Sequence, residues 1–376
     1  MTKVYNEIFK IREILNQEKP NSVLLIRGNN SYEHSGARSV IEPQLNGYNV
    51  IPLYGFKKSP YIENIERAVD TIRQEDIDFI IGVGGGTVMD IAKTASILHK
   101  EEGNLEEFIT GKQKLEGNNI RRILIPTTAG TGAEITPFSV IYINKIKYSL
   151  AHSSMSPEYV ILAPELTLSL SKYETASTGC DALAHAIESF WSVNATKESK
   201  EYSKEAIHLA LNNLSDVVNK PNLENRTTML KTAYLAGRAI SIAKTTAAHS
   251  LSYPFTSYYN ISHGHAVMLT LPYFFEINAY VNERNIQDKE GFTVECARKT
   301  FDELLDVFNA KNGIEAKNIL IDLMNDVGLE RSLGKLGINK EDLQNIVNNG
   351  FNPQRIMNNP VKISEEIVWR ILKIIS

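Results

Sequence analysis

The chain has 376 residues, 43% of them hydrophobic and 22% charged, with a formal net charge of −4. That length is too great for one comfortable core and implies two domains of an ordinary globular protein, while the acidic balance argues against general nucleic-acid binding. Cys180 and Cys296 are the two cysteines and lie far apart, which implies neither a disulfide framework nor a zinc knuckle.

The opening MTKVYNEIFKIREILNQ is charged, predicts an amphipathic helix and lacks the apolar core of a signal peptide. No run approaches the roughly 18 apolar residues of a membrane span. A cytoplasmic protein with no membrane partner is expected. Apolar, β-forming runs follow at Ser22–Gly28, Tyr48–Phe56, Asp78–Gly86 and Arg121–Gly132, with helical patterns over 61–74 and 88–98. Residues 139–149 read as a hairpin and Tyr159–Leu166 as a further strand. Continuous apolar strands alternating with helices predict a mostly parallel sheet covered on both faces. After about Ser169 the texture changes to helical spacing, over 174–192, 200–218, 224–243 and 292–308. The expected architecture is an α/β domain over 1–168 and an all-α domain over 169–376.

In IGVGGGTVMDIAK a buried strand runs into Gly84, Gly85 and Gly86, and a helix starts at once with Thr87. Glycines let a phosphate approach the backbone, and a helix N-terminus offers free N–H groups. The pattern is not GxGxxG, and a tight strand-to-helix turn explains it about equally well. A second loop, PTTAGTGAEIT, also follows an apolar strand and supplies Thr127, Thr128, Gly130, Thr131 and Gly132. Two such loops at the strand C-termini of one parallel sheet would flank one crevice. Asp90 touches a cofactor or caps a helix, and capping is the simpler role.

Asp181 and His185 in GCDALAHAIESF are spaced i, i+4 on one helix face. Alone, a satisfied His–Asp pair is the commoner outcome. His249 and His263 follow in AHSLSYPFTSYYNISHGHA. One carboxylate with three imidazoles suits Fe(II) or Zn(II). His265 turns to a different face and is left to a supporting or structural role. His34, His99, His152 and His208 show no partner pattern.

Taken together and in this order, GGGTVMD, PTTAGTGAE, CDALAHAIE, the His249–His263 segment and the closing NNPVKIS (358–364) resemble the iron-containing alcohol dehydrogenases, within the dehydroquinate synthase-like fold. The resemblance covers nearly the whole chain. It implies an N-terminal dinucleotide-binding domain, a helical C-terminal domain, and a metal in the cleft between them. It assigns Asp181, His185, His249 and His263 as metal ligands, Gly84, Gly85, Gly86 and Asp90 to the pyrophosphate side, and the Thr127–Gly132 loop to the rest of the cofactor. The implied reaction interconverts an aldehyde and a primary alcohol with NADH or NADPH, in a homodimer.

Two departures stand out. Tyr253 occupies the place where the family often has a second histidine used in proton handling. After the first strand, where NAD-preferring members carry an aspartate, this chain has Arg27-Gly28-Asn29-Asn30. Gly28 and Asn29 are candidate cofactor contacts, and acceptance of NADPH is expected because repulsion of a 2′-phosphate is absent. The segment KTTAAHSLSYPFTSYYNISHGHAV resembles the phosphonoacetaldehyde reductase branch, which makes 2-hydroxyethylphosphonate. Lys244, Arg238 and Arg355 are the candidate phosphonate contacts, although solvation at the surface is the base state of each. The competing readings are a dehydrogenase for a simple short-chain alcohol or for lactaldehyde and 1,2-propanediol, a dehydroquinate synthase-like lyase, and a non-catalytic nucleotide or metal sensor.

Overall fold

The computed structural model describes residues 2–56, 59–144 and 146–376. The chain divides into two units: Met1–Thr128 with Gly132–Leu170, and Ala129–Thr131 with Ser171–Ser376.

In the first unit the elements run β1 (Lys3–Tyr5), α1 (Lys10–Glu18), β2 (Val23–Arg27), α2 (Asn30–His34), α3 (Ala37–Ile41), β3 (Val50–Leu53), α4 (Ile62–Gln74), β4 (Phe79–Gly84), α5 (Gly86–Leu98), α6 (Leu105–Ile109), β5 (Arg121–Pro126), β6 (Phe138–Ile143), β7 (Ile146–Ala151) and β8 (Tyr159–Ile161). A six-stranded parallel sheet has the order β1-β8-β5-β4-β2-β3, and β6 and β7 form a separate antiparallel pair. Alternate residues of the central strands feed two cores. Leu24, Ile26, Ile80 and Leu124 face one side, against the apolar stripe of α4 (Ile65, Val69, Ile72) and the buried α5. Val23, Leu25, Ile81 and Ile123 face the other, against Ile11, Ile14 and Leu15 of α1. A strand buried on both faces reads as an unbroken apolar run, which is why these strands were visible in the sequence.

Two local expectations are corrected. The opening is not one helix: Lys3–Tyr5 pairs in parallel with Tyr159–Ile161, and the helix begins at Lys10. Three residues are too few to show a period. The strand expected over Tyr159–Leu166 stops at Ile161, and a 3₁₀ turn over Pro164–Thr167 follows, because proline removes an N–H donor from the ladder.

The second unit contains α7 (Lys172–Trp191), α8 (Lys197–Asn219), α9 (Leu223–Ala243), α10 (Ala247–Tyr259), α11 (His263–Met268), α12 (Leu271–Ala279), α13 (Val294–Phe308), α14 (Gly313–Asp326), α15 (Leu343–Gly350), α16 (Pro353–Ile356) and α17 (Glu365–Ile375). Helix α7 starts at a capping box: Ser171 accepts from the Glu174 N–H, and the Glu174 carboxylate accepts from the Ser171 N–H. From Thr175 to Trp191 every residue but Thr178 is buried. Helices α8, α9, α11 and α13 surround it. A helix enclosed in this way must carry small or apolar residues on nearly every side, so the polar ones it does carry need specific partners. Among the described residues no helix is long and apolar enough to cross a membrane.

Candidate functional site

Helix α7 presents Asp181, His185 and Glu188 at i, i+4 and i+7, on one face. Helix α10 brings His249 to that face, and α11 begins with His263. His249 Nε2 lies 3.5 Å from Asp181 Oδ1, His263 Nε2 lies 3.9 Å from the same oxygen, and His185 Nδ1 lies 4.0 Å from Asp181 Oδ2. The rings of His185 and His249 stack with centroids 4.4 Å apart. One ligand atom from each of Asp181, His185 and His249 lies within 4.8 Å of the others. Asp181 Oδ1, His185 Nδ1 and His249 Nε2 are buried and have no hydrogen-bond partner among the described residues. Orphaned buried polar atoms cost about 1–3 kcal/mol each. Three of them converging is the pattern that a single divalent cation satisfies, so these residues fit a metal. His263 is the open side of the group, its side chain 31% accessible against 4% for Asp181.

The electrostatics agree with ligation. Burial alone would raise the Asp181 carboxyl, but His185, His263 and His249 hold it well below the usual carboxylate range. Burial pushes His185 down to about 4, against the pull of Asp181, which leaves a neutral ring with a lone pair to donate. His249 would also be lowered by burial, but Glu188 and Asp181 on either side raise it to about 9. A cation held at Nε2 would take the place of that proton, with Nδ1 still facing Glu188.

Glu188 was not singled out in the sequence. Its carboxylate Oε2 accepts from His249 Nδ1 and it is fully buried. The available signal was its spacing, three residues past His185 and on the same face. His265 is held at both ring nitrogens, Nδ1 with the Tyr173 hydroxyl at 3.1 Å and Nε2 with the Glu330 carbonyl at 2.7 Å. Tyr253, one turn past His249 on α10, lies nearly parallel to the His263 ring with centroids 6.3 Å apart.

The three candidate anion contacts separate. Arg355 Nη1 donates to Thr245 Oγ1 at 2.9 Å, and no carboxylate forms an ion pair with it among the described residues. Burial lowers Lys244 and the Arg355 charge lowers it further; Arg355 also contributes to lowering His185. Arg355 is thereby tied to Thr245, which lies between Lys244 and the Thr246 whose hydroxyl donates to Glu188. Lys244 has a φ of 66° and a ψ of 172°, a conformation costly for any residue but glycine. Arg238 is committed elsewhere: it donates to the Tyr234 and Tyr202 hydroxyls at 3.1 and 2.6 Å and lies 3.6 Å from Glu198.

In the first unit, β2 and β4 are neighbours whose chains continue to opposite sides of the sheet, the arrangement that opens a crevice at strand carboxyl ends. Gly28 follows β2, and its N–H donates to the Val83 carbonyl at 3.1 Å. Gly84 ends β4, where a Cβ would lie 2.6 Å from Val88 Cγ2, so glycine lets α5 start directly at the strand end. Gly85 is the N-cap of α5, followed by Gly86 and Thr87 at its half-buried N-terminus. Thr128 lies beside Gly85, and the Thr127 N–H donates to the Gly84 carbonyl at 2.9 Å. Gly132 has a φ of +60°, while Gly130 and Thr131 group with the second unit. Asp90 does not cap the helix. It sits inside α5, with Oδ1 3.2 Å from Lys93 Nζ and Oδ2 accepting the Val140 N–H at 3.1 Å, and so fastens β6 to α5. Asn29 Oδ1 accepts the Gly55 N–H at 2.5 Å. Arg27 lies between two rings, 4.7 Å from the Tyr32 centroid and 4.1 Å from that of Tyr54.

Comparison with known proteins gives one consistent family. Residues 4–164 match the model of the iron-containing alcohol dehydrogenase, and residues 175–375 that of the Fe-containing alcohol dehydrogenase family, C-terminal. Long-chain-alcohol dehydrogenase 1 of Geobacillus thermodenitrificans is 32% identical over 325 residues, 83% of this chain and 78% of that protein. Phosphonoacetaldehyde reductase of Streptomyces viridochromogenes is 34% identical over 225 residues, 57% of this chain and 56% of that protein. Sulfoacetaldehyde reductase from Bifidobacterium kashiwanohense, solved in complex with NAD+, superposes with a TM-score of 0.86 at 26% identity, covering 100% of this chain and 96% of that one.

Proposed function

Because the chain belongs to the iron-containing alcohol dehydrogenase family, we propose that it is a metal-dependent reductase of phosphonoacetaldehyde, yielding 2-hydroxyethylphosphonate with NADPH or NADH as reductant. The observation that carries the reductase chemistry is the convergence of the three orphaned atoms of Asp181, His185 and His249, with His263 at their open side. Fe(II) is the metal proposed and Zn(II) the alternative, since both accept one carboxylate and three imidazoles. When bound, the metal supplies Lewis acidity at the carbonyl oxygen and the nicotinamide supplies the hydride.

The chain's own groups do the remainder. The four side chains fix the cation. Tyr253, beside His263, delivers its hydroxyl proton to the nascent alcohol and is reprotonated by water, so that aldehyde, NAD(P)H and H+ become alcohol and NAD(P)+. Lys244 and Arg355 bind the phosphonate: a point charge and a planar fork suit an oxyanion. The left-handed backbone at Lys244 supports this role, because such conformations persist where surrounding structure holds them and they cluster at ligand sites. The turns at Gly84, Gly85, Gly86 and Thr87, and at Thr127, Thr128, Gly130, Thr131 and Gly132, receive the dinucleotide, with Gly28 and Asn29 at the end of β2. Arg27, stacked on Tyr32 and Tyr54 and in no carboxylate ion pair among the described residues, favours acceptance of a 2′-phosphate.

The test is oxidation of NADH and NADPH by Fe(II)- and Zn(II)-loaded enzyme with phosphonoacetaldehyde, sulfoacetaldehyde, lactaldehyde, succinic semialdehyde and butanal. A large gain in kcat/KM from the phosphonate, lost in Lys244→Ala and Arg355→Ala while butanal turnover persists, supports the proposal. Equal rates on butanal and phosphonoacetaldehyde remove the substrate assignment, and preference for sulfoacetaldehyde reassigns the anion.

A further inference from the structure

Resting on the metal-site reading above, we infer that Glu188 is a positioning residue that fixes the tautomer of His249, so that Nε2 is presented as a lone pair to the ion. Glu188 is fully buried. Its Oε1 accepts three hydrogen bonds, from Thr246 Oγ1 at 2.6 Å, the Ala248 N–H at 2.9 Å and the His249 N–H at 3.4 Å. Its Oε2 accepts from His249 Nδ1. The direction of each bond on the Oε1 side is determined. Backbone N–H groups can only donate. Trp191 Nε1, also donor-only, occupies Thr246 Oγ1 at 3.0 Å, which turns the threonine proton toward Glu188. The carboxylate is thus ringed by donors, and the remaining one must be the proton on His249 Nδ1. With that proton held on Nδ1, Nε2 is the nitrogen left to give up its proton and donate a lone pair to an ion, and Nε2 is the atom 3.5 Å from Asp181 Oδ1 with no hydrogen bond among the described residues. A carboxylate behind a ligating imidazole also strengthens it as a donor.

The same carboxylate ties down the start of α10, so a purely structural role must be separated from the positioning one. Glu188→Gln does this. The amide keeps shape and volume but brings one NH2. The Oε1 position faces three donors and takes the amide oxygen. The NH2 then faces His249 Nδ1, which must become an acceptor, and the ring proton moves to Nε2, where it opposes the ion.

The experiment measures Zn(II) affinity by competition with a chromophoric chelator, alongside thermal unfolding. Glu188→Gln is expected to weaken Zn(II) by roughly 10–100-fold while remaining folded. Thr246→Val, which keeps the carboxylate on Nδ1, is expected to lower Tm and leave Zn(II) affinity unchanged. A folded Glu188→Gln protein with wild-type affinity overturns the inference. Should that variant fail to fold, the ¹⁵N spectrum of histidine-labelled, Zn(II)-loaded wild type decides: a protonated His249 Nδ1 supports the inference, and a proton-free Nδ1 overturns it. Failure of the metal reading itself is distinct, because then wild type binds no Zn(II) at all.

Discussion

Gly264 separates His263 from His265, and its α-carbon is pressed against α7. A Cβ built there would lie 1.9 Å from the Ser177 carbonyl oxygen, 2.7 Å from Asp181 Cβ and 2.8 Å from the Asp181 nitrogen. Backbone atoms in a buried helix do not yield as a side-chain tip does. A carbon–oxygen contact needs about 3.3 Å, so Gly264→Ala must move α11 away from α7 by roughly 1.4 Å. Metal–ligand distances tolerate only about 0.2 Å. His263 opens α11 and should leave the group, although no ligand atom has been removed. The overpacking itself should cost about 1–3 kcal/mol, or about 2–4 °C of Tm per kcal/mol for a unit of this size. The assay is elemental analysis of Zn(II)-reconstituted, dialysed protein, with calorimetry on the same samples. His263→Ala is the comparison, expected to lose metal without the steric cost. A Gly264→Ala protein with full metal content and unchanged Tm would refute the reasoning.

Three further outcomes follow from other parts of the molecule. Glu134 is buried, its Oε1 has no hydrogen-bond partner among the described residues, and burial raises its carboxyl from 4.5 to about 7. The native state therefore holds a proton that the unfolded chain has released; stability from this group falls as pH rises from 4.5 to 7, by up to about 3 kcal/mol. Glu134→Gln should gain on wild type by that amount in denaturant melts at pH 8 and by little at pH 4.5; a pH-independent difference would contradict this. Tyr253→Phe should lower kcat by roughly 10²–10⁴ with metal content intact, and an unchanged pH profile would remove its proton-transfer role. Arg27→Asp should raise KM for NADPH far more than for NADH, and equal effects on both coenzymes would exclude a 2′-phosphate contact.

Much of this was legible in the chain. The buried strands announced themselves because both faces of the sheet are covered, and Asp181 with His185 because four residues slightly exceed one helical turn. What was not legible depends on contacts that no local period encodes. Glu188 looks like any acidic residue in a helix until α10 is placed with its first turn against it. Asp90 sits in a motif that points to a ligand, yet its oxygens serve Lys93 and Val140, the latter 50 residues away. Arg238 offered the same charge as Arg355, and only the placement of Tyr202, Tyr234 and Glu198 around it tells them apart. The stacking of Arg27 on Tyr54 needs β2 and β3 to lie side by side, which only the sheet order supplies.

The enclosure of α7 has a consequence for how such a centre can change. Asp181, His185 and Glu188 stand on a wall clamped from all sides, where a substitution disturbs the core before it tunes the chemistry. His263 and Tyr253 stand on the accessible rim. Adaptation to a different ion or a bulkier aldehyde, in nature or in the laboratory, therefore has its room at these two rim positions, and libraries directed there should retain folded variants where libraries directed at the wall do not.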